Sequence, residues 1–287
     1  MSAFTDRTLV VSGGSRGIGL AIGLAAARRG ANVVLLAKTA EPHPKLPGTV
    51  HTAVAEVEAA GGKGVAVVGD VRKEEDVQRA VDAAVEHFGG VDVVVNNASA
   101  IATEPTEQLA AKKFDLMMDI NVRGTFLLTK AALPYLRKSA ARAEGAEQPG
   151  AHVITLAPPL NMNPHWLGAH PSYTLSKYGM TLLSLGWAEE FRQERGGAGI
   201  GFSCLWPETY IATSAVANAP GFQEMLERSR DPQIMGDAAA LILSRPAADV
   251  NGKCFIDSEL LAESGVTDLS RYGGGDDPIL DIFVDKS

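Results

Sequence analysis

The sequence predicts an α/β domain: one doubly wound, seven-stranded parallel sheet with helices on both faces. Two observations carry that expectation. Short Val/Ile/Leu-rich runs recur along the 287 residues, and most are continuously apolar rather than alternating, the pattern of strands buried on both faces. Longer segments of helical period separate them, and such βαβ alternation builds a parallel sheet with crossover helices. No break in composition marks a second domain. Residues 1–287 therefore read as one domain, with a core from about residue 6 to 256 and a C-terminal extension over 257–287.

The expected strands are Thr8–Val11, Asn32–Leu36, Gly64–Val68, Val91–Val95, His152–Leu156, Gly199–Leu205 and Lys253–Ile256. Helices are expected near Ile18–Arg29, Val50–Ala60, Glu74–Phe88, Thr106–Lys138, Ser172–Arg195 and Met235–Leu243. Thr39–Gly48 carries Pro42, Pro44 and Pro47 and reads as a loop after the second strand. Ser139–Gly150 is Ala/Glu/Gly-rich and reads as a surface loop. Gly273–Pro278 reads as a turn before an apolar piece, Ile279–Val284, which packs back on the domain or on a neighbouring subunit.

Hydrophobic residues make up 46% of the chain, enough for one extensive core. Lys and Arg number 26 against 34 Asp and Glu, a formal charge of −8 with no basic run, which argues against nucleic acid or an anionic membrane surface as partner. Cys204 and Cys254 each sit in an apolar run and read as buried free thiols of a reducing compartment. The histidines show no ligand spacing, so no metal is expected. Residues 1–7 lack the layout of a secretory leader. No apolar run approaches the roughly 20 residues of a membrane span, and the C-terminus is no peroxisomal address. The expected location is cytoplasmic.

Directly after the first strand, Ser12-Gly13-Gly14-Ser15-Arg16-Gly17-Ile18-Gly19 opens a helix. Glycines there let the backbone approach a pyrophosphate, whose charge sits on the helix N-terminus. The spacing is Gly-x3-Gly-x-Gly, and a turn needed only for strand–helix packing is the alternative. Where a carboxylate at the end of the second strand would bind the ribose 2′-hydroxyl of NAD, the chain has Ala37 followed by Lys38. Arg16 and Lys38 are then candidates to pair with a 2′-phosphate, which favours NADP(H); ordinary solvated charges are the alternative. Further on, Tyr173 and Lys177 lie one helical turn apart, a phenol beside an ammonium. A close positive charge favours an ionised phenol, so this pair is suited to exchange a proton with a substrate oxygen.

The glycine loop, Asp70-Val71, Asn96-Asn97-Ala98, Asn121 and Tyr-x3-Lys follow one another in an order that resembles the short-chain dehydrogenase/reductase family, from about Asp6 to Ile256. The resemblance implies a single-domain Rossmann fold. It implies that Gly13, Gly14, Ser15, Arg16, Gly17, Ile18 and Gly19 shape the cofactor loop, and that Asp70 and Val71 flank the adenine. Asn97 and Ala98 would end the fourth strand beside the cofactor, where Ser99 replaces a usual Gly. Tyr173 would be the acid/base, Lys177 would bind the nicotinamide ribose and tune Tyr173, and Asn121 would hold a helix kink and a water leading to Lys177. Pro207 and Thr213 would close over the nicotinamide. Asp70 as a helix N-cap, Asn121 as an ordinary polar helix residue and Asn96-Asn97 as a turn stay open as alternatives. The stretches 36–48, Pro158-Pro159-Leu160-Asn161, Tyr173–Met180 and Trp206-Pro207 narrow the resemblance to one subgroup, whose members can carry a C-terminal sterol-carrier domain; none is expected before Ser287.

Two departures stand out. Ala157 occupies the place of the family's serine, whose hydroxyl shares in stabilising the developing oxyanion; Asn161 or Asn163 are the candidate substitutes. Glu208 follows Pro207 where the family has Gly, which puts a carboxylate near the nicotinamide end or out in solvent. Met162, Trp166 and Leu167, and a lid segment with Ile211, Val216, Phe222, Met225 and Leu226, suggest an apolar alcohol or carbonyl substrate, with core and subunit packing as the alternative. The expected function is an NADP(H)-dependent oxidoreductase. An NADP(H)-binding protein with weak or no catalysis is the alternative that Ala157 motivates. Two long helices apolar on more than one side suggest a homodimer or homotetramer.

Overall fold

The computed structural model describes residues 4–42, 48–143, 149–192, 199–213 and 222–285. Its strands are β1 Thr8–Ser12, β2 Asn32–Ala37, β3 Lys63–Val68, β4 Val93–Asn96, β5 Ala151–Thr155, β6 Ile200–Trp206 and β7 Lys253–Ile256. Its α-helices are α1 Gly17–Ala27, α2 Val50–Ala59, α3 Glu74–Phe88, α4 Ala111–Met117, α5 Gly124–Ala143, α6 Pro164–Ala169, α7 Pro171–Glu190, α8 Phe222–Glu227, α9 Gln233–Ser244, α10 Ala247–Val250 and α11 Asp257–Glu263. All neighbouring strands are parallel, in the order β3-β2-β1-β4-β5-β6-β7. Winding reverses between β1 and β4, and the crevice outside the carboxyl ends of those strands is where such sheets bind ligands.

Alternate residues of each central strand feed two cores. Leu9 and Val11 of β1 join Ile22 of α1, Val57 of α2 and Ile234 of α9 on one face. Val10 joins Val81 of α3, Leu128 of α5 and Trp187 of α7 on the other. This is why the strands read as unbroken apolar runs. Helix α9 approaches α1 closely at Gly236, where a Cβ would lie 2.5 Å from the carbonyl oxygen of Ala21. Helix α3 carries Glu74, Glu75 and Asp76 in its first turn and ends on Gly89 at φ 84°, so charge and left-handed cap set its two ends.

The structure corrects several expected boundaries. The helix expected from Thr106 begins at Ala111, because Pro105 starts a turn that accepts from Gln108 and Leu109. It is then interrupted by a π-helical turn at Met118–Arg123. The expected loop from Ser139 is helical to Ala143, since Ala140 and Ala143 bury against the sheet. Helices α6, α8, α10 and α11 are too short to show a helical period in sequence. Pro44, Pro47 and Val216 lie outside the described residues. The apolar piece Ile279–Val284 packs back on its own domain, with Ile282 and Phe283 buried.

Cys204 is buried, Cys254 is half-buried and both are free. Among the described residues no His, Cys, Asp or Glu cluster is arranged for a metal, and no helix is long and apolar enough to cross a membrane.

Candidate active site

The site is built on the carboxyl ends of β1 and β4. The Ser12 hydroxyl accepts from the backbone N–H of Asn97 and of Ala98, both at 3.1 Å. The Asn97 side-chain amide donates to the carbonyls of Ser12 and Gly13 at 2.9 and 3.1 Å. Two strand ends are thereby locked together under the glycine loop. Gly13 sits at φ 67° and Gly17 at φ 56°, where side chains are strained. Gly14 and Gly19 serve packing: a Cβ would meet Leu35 at 2.6 Å and Asn97 at 2.5 Å respectively. The glycines are required by the turn itself and by its close approach to the sheet.

Gly13, Ser15, Arg16, Gly17 and Ile18 line a groove of about 360 Å³, joined by Lys38, Asp70, Val71, Asn97 and Ala98. Such a groove, with backbone approach at two left-handed glycines, fits a dinucleotide. At its far end Asp70 does not cap α3. Its carboxylate accepts from the Nε and NH2 groups of Arg72 and from the Arg72 N–H. Those bonds hold its pKa down at about 2. Lys38 stands 3.7 Å from the same carboxylate. Arg16 donates to the carbonyl of Gly48 at 3.0 Å. Arg72 was not legible as part of the site, because a surface arginine after a strand carries no motif.

Ile18, Asn97, Ser99 and Thr213 also line a second cavity, of about 550 Å³, so groove and cavity are continuous. Tyr173, Lys177 and Pro207 line this second cavity. Both members of the Tyr/Lys pair are buried, on the first turns of α7. Lys177 donates to the carbonyl of Leu156 at 2.5 Å, and its ammonium lies 4.9 Å from the centre of the Trp206 ring. Burial pulls its pKa down to about 7, against the attraction of Asp281. Tyr173 departs from the expectation of an easily ionised phenol. Burial, reinforced by Asp281 and Tyr210, pushes its pKa above the ordinary value, because a buried phenolate loses its solvation.

Asn121 lies in the π-helical turn, fully buried, and lines neither space. Its side chain accepts from the Ala100 N–H at 2.7 Å and donates to the Ala100 carbonyl and to Ser176 on α7. It therefore fixes α7 against the kink at Ser176, three residues from Tyr173 and one from Lys177.

Ala157 is fully buried against Met180 and Cys204, while Leu156 lines the cavity. A serine at 157 would face that apolar pocket. Asn161 and Asn163 do not substitute for it: Asn161 donates to the Phe283 carbonyl and to Asp285, and Asn163 also reaches Asp285. Glu208 likewise does not line the cavity; its backbone N–H donates to Asp257 and its carbonyl accepts from the Asp281 N–H. Trp166 and Leu167 pack around Tyr173 and Phe283 instead of facing the cavity, and Met162 is 67% exposed. Ile211 and Met225 from the expected lid do line it, with Ile101, Trp206 and Ile282. Apolar residues do line the cavity, but Trp166 and Leu167 follow the packing alternative.

What sequence reasoning missed is that the C-terminal segment, expected to pack back on the domain, enters the site. Leu280 bridges Thr209, the Tyr210 N–H donates to the Ile279 carbonyl, and Trp206 Nε1 donates to the Ile282 carbonyl at 2.9 Å. These bonds lay Asp281 into the cavity wall and Phe283 against the Tyr173 ring, centroids 6.2 Å apart. The available signal was one acid inside an apolar run, Ile279-Leu280-Asp281-Ile282-Phe283-Val284.

Residues 7–220 match the short-chain dehydrogenase family. Over 282 residues the chain is 49% identical to hydroxysteroid dehydrogenase-like protein 2 of Xenopus tropicalis, covering 98% of this chain and 64% of that relative. The chain thus spans just under two thirds of that relative's length. A solved short-chain dehydrogenase from Mycobacterium thermoresistibile superposes with a TM-score of 0.87 at 45% identity, over 98% of this chain and 96% of the other. The NADH-dependent reductase A1-R′, solved in complex with NAD, superposes with a TM-score of 0.68 at 25% identity, over 88% and 95%.

Proposed function

The chain belongs to the short-chain dehydrogenase/reductase family, whose members bind a nicotinamide dinucleotide, and from that premise we propose an NADP(H)-dependent oxidoreductase interconverting an apolar alcohol and its carbonyl compound. The observation that carries this reading is that buried Tyr173 and Lys177 line one apolar cavity continuous with the glycine-loop groove. Ala37 in place of an acid, with Lys38 and Arg16 lining the groove, supports NADP(H). Asp70 and Val71 would flank the adenine, and Pro207 and Thr213 the nicotinamide.

A bound nicotinamide supplies or accepts the hydride. Tyr173 keeps its proton at neutral pH and donates it to the substrate oxygen during reduction. Lys177, with a pKa of about 7, holds the nicotinamide ribose and returns a proton to Tyr173. Asn121 keeps α7 in register through Ser176. Ile101, Trp206 and Met225 exclude water and select an apolar substrate.

Tyr173→Phe should lower NADPH-dependent reduction of an aryl ketone by roughly 10²–10⁴ and leave NADPH binding intact. Undiminished turnover would refute the mechanism. NADPH binding with no oxidation by any carbonyl compound tested would favour the alternative of a binding protein with little catalysis. The proposal extends to a homodimer or homotetramer, supported by exposed Phe126 on α5 and Leu175 and Leu182 on α7. Free Cys204 and Cys254 fit a reducing compartment such as the cytoplasm.

A further inference from the structure

Ala157 faces Met180 and Cys204, so the position of the family's serine offers the substrate oxygen nothing. The cavity wall supplies another polar group at the same end. Of the described polar side chains lining the cavity, only Tyr173, Lys177 and Asp281 are buried as whole residues; Asn97, His170, Tyr210 and Thr213 are partly exposed. Glu104, also on the wall, is paired with Lys113. Asp281 has no such partner among the described residues. One of its carboxyl oxygens accepts from the Ile282 N–H at 2.7 Å, and no other hydrogen bond from the described residues reaches the group.

Its position is fixed from both sides. The Asp281 N–H donates to the Glu208 carbonyl at 2.9 Å, and its carbonyl accepts from the Val284 N–H. The next two residues are anchored by Trp206 and Asn161 through their carbonyls. Phe283 keeps a left-handed φ of 76° within this arrangement. A bulky residue adopts that conformation only where its surroundings over-determine it, a condition met chiefly at functional sites.

We propose that the Asp281 carboxyl group contacts the substrate carbonyl oxygen beside the Tyr173 phenol and performs the part that the family gives to the serine hydroxyl. The proposal rests on the oxidoreductase reading above. The charged and titratable groups that face Asp281 are Lys177 and Tyr173 from α7, Asp257 from α11, and Tyr210 after β6. Burial, with Asp257 adding to it against Lys177, holds the carboxyl protonated well above the usual carboxylate range. A neutral carboxylic acid has an O–H to donate, and an acid kept neutral by its site stabilises an oxyanion well. In reduction the carbonyl carbon gains the hydride and its oxygen gains the Tyr173 proton. Asp281 keeps its own proton and lends only the hydrogen bond.

The test compares wild type, Asp281→Asn and Asp281→Ala in NADPH-dependent reduction of acetophenone and decanal, with melting temperature and NADPH affinity as controls. The amide of Asp281→Asn retains a donor, so its kcat/KM should stay within about tenfold of wild type, whereas Asp281→Ala should lose about 100-fold. Asp281→Ala within about threefold of wild type, or Asp281→Asn as impaired as Asp281→Ala, overturns the proposal. A second readout needs no turnover: the carbonyl stretch of labelled acetophenone bound to the NADP⁺ complex. It should lie lower in wild type than in Asp281→Asn or Asp281→Ala, the alanine variant being highest. Equal stretches in all three overturn the proposal, as does the absence of bound ketone in wild type. Loss of the oxidoreductase reading shows separately, as undiminished turnover in Tyr173→Phe.

Discussion

Phe283 holds φ 76°, a left-handed conformation that costs a residue with a Cβ about 1–2 kcal/mol. Its ring repays that strain by packing: the centroid lies 5.2 Å from Tyr178, 6.0 Å from Trp166, 6.0 Å from Trp206 and 6.2 Å from Tyr173. Phe283→Ala removes the ring, at about 3–5 kcal/mol, and leaves the Cβ and its strain. Phe283→Gly removes ring and strain together. At most positions glycine is worse than alanine by about 0.5–1 kcal/mol; here the order should invert, with glycine the more stable by about 1 kcal/mol. For a chain of this length that is about 2 °C in Tm, readable by thermal unfolding followed by circular dichroism. Both variants should also lose kcat/KM in ketone reduction, because the Tyr173 ring loses its stacked support. A glycine variant that melts below the alanine variant would refute the strain argument. Two variants melting with wild type would refute the claim that the C-terminal segment is packed at all.

Lys38→Ala should weaken NADPH binding about tenfold and leave NADH binding unchanged, a modest loss because the side chain is 58% exposed; fluorescence titration with each cofactor decides, and equal losses would remove Lys38 from 2′-phosphate recognition. His152 is buried on β5, and burial, aided by Arg7, lowers its pKa to about 3 from 6.5. The folded state favours the neutral ring, so this contribution is complete above pH 6.5 and is lost as pH falls toward 3, by up to about 5 kcal/mol. Urea midpoints should fall across that window for wild type and less steeply for His152→Gln; parallel curves would place the cause elsewhere. Leu182→Glu should shift the mass seen by light scattering toward monomer, and a wild-type protein already monomeric would end the assembly proposal.

Much of this protein was legible in its sequence. The seven strands, their parallel order and the glycine loop follow from local signals: unbroken apolar runs, and glycines at the strand–helix junction. Tyr173 and Lys177 were legible for the same reason, since a helix converts a spacing of four into a shared face. The kink at Met118–Arg123 was not, because a π-helical turn keeps helical composition. Short helices such as α6 escaped because six residues show no period.

Charge state and cavity membership depend on burial, which is a property of all the neighbours at once. A phenol beside an ammonium reads as easily ionised, yet desolvation makes Tyr173 hold its proton. Asp281 stands more than 100 residues from Tyr173 in the chain, and contacts of the C-terminal segment with residues 206–210, among them the antiparallel bridge of Leu280 with Thr209, bring it to the same cavity. By itself the sequence determined the sheet, the glycine loop and the shared face of Tyr173 and Lys177, since each is written in near neighbours. The tertiary structure alone decided which acid lines the cavity and whether it is charged, because packing sets both.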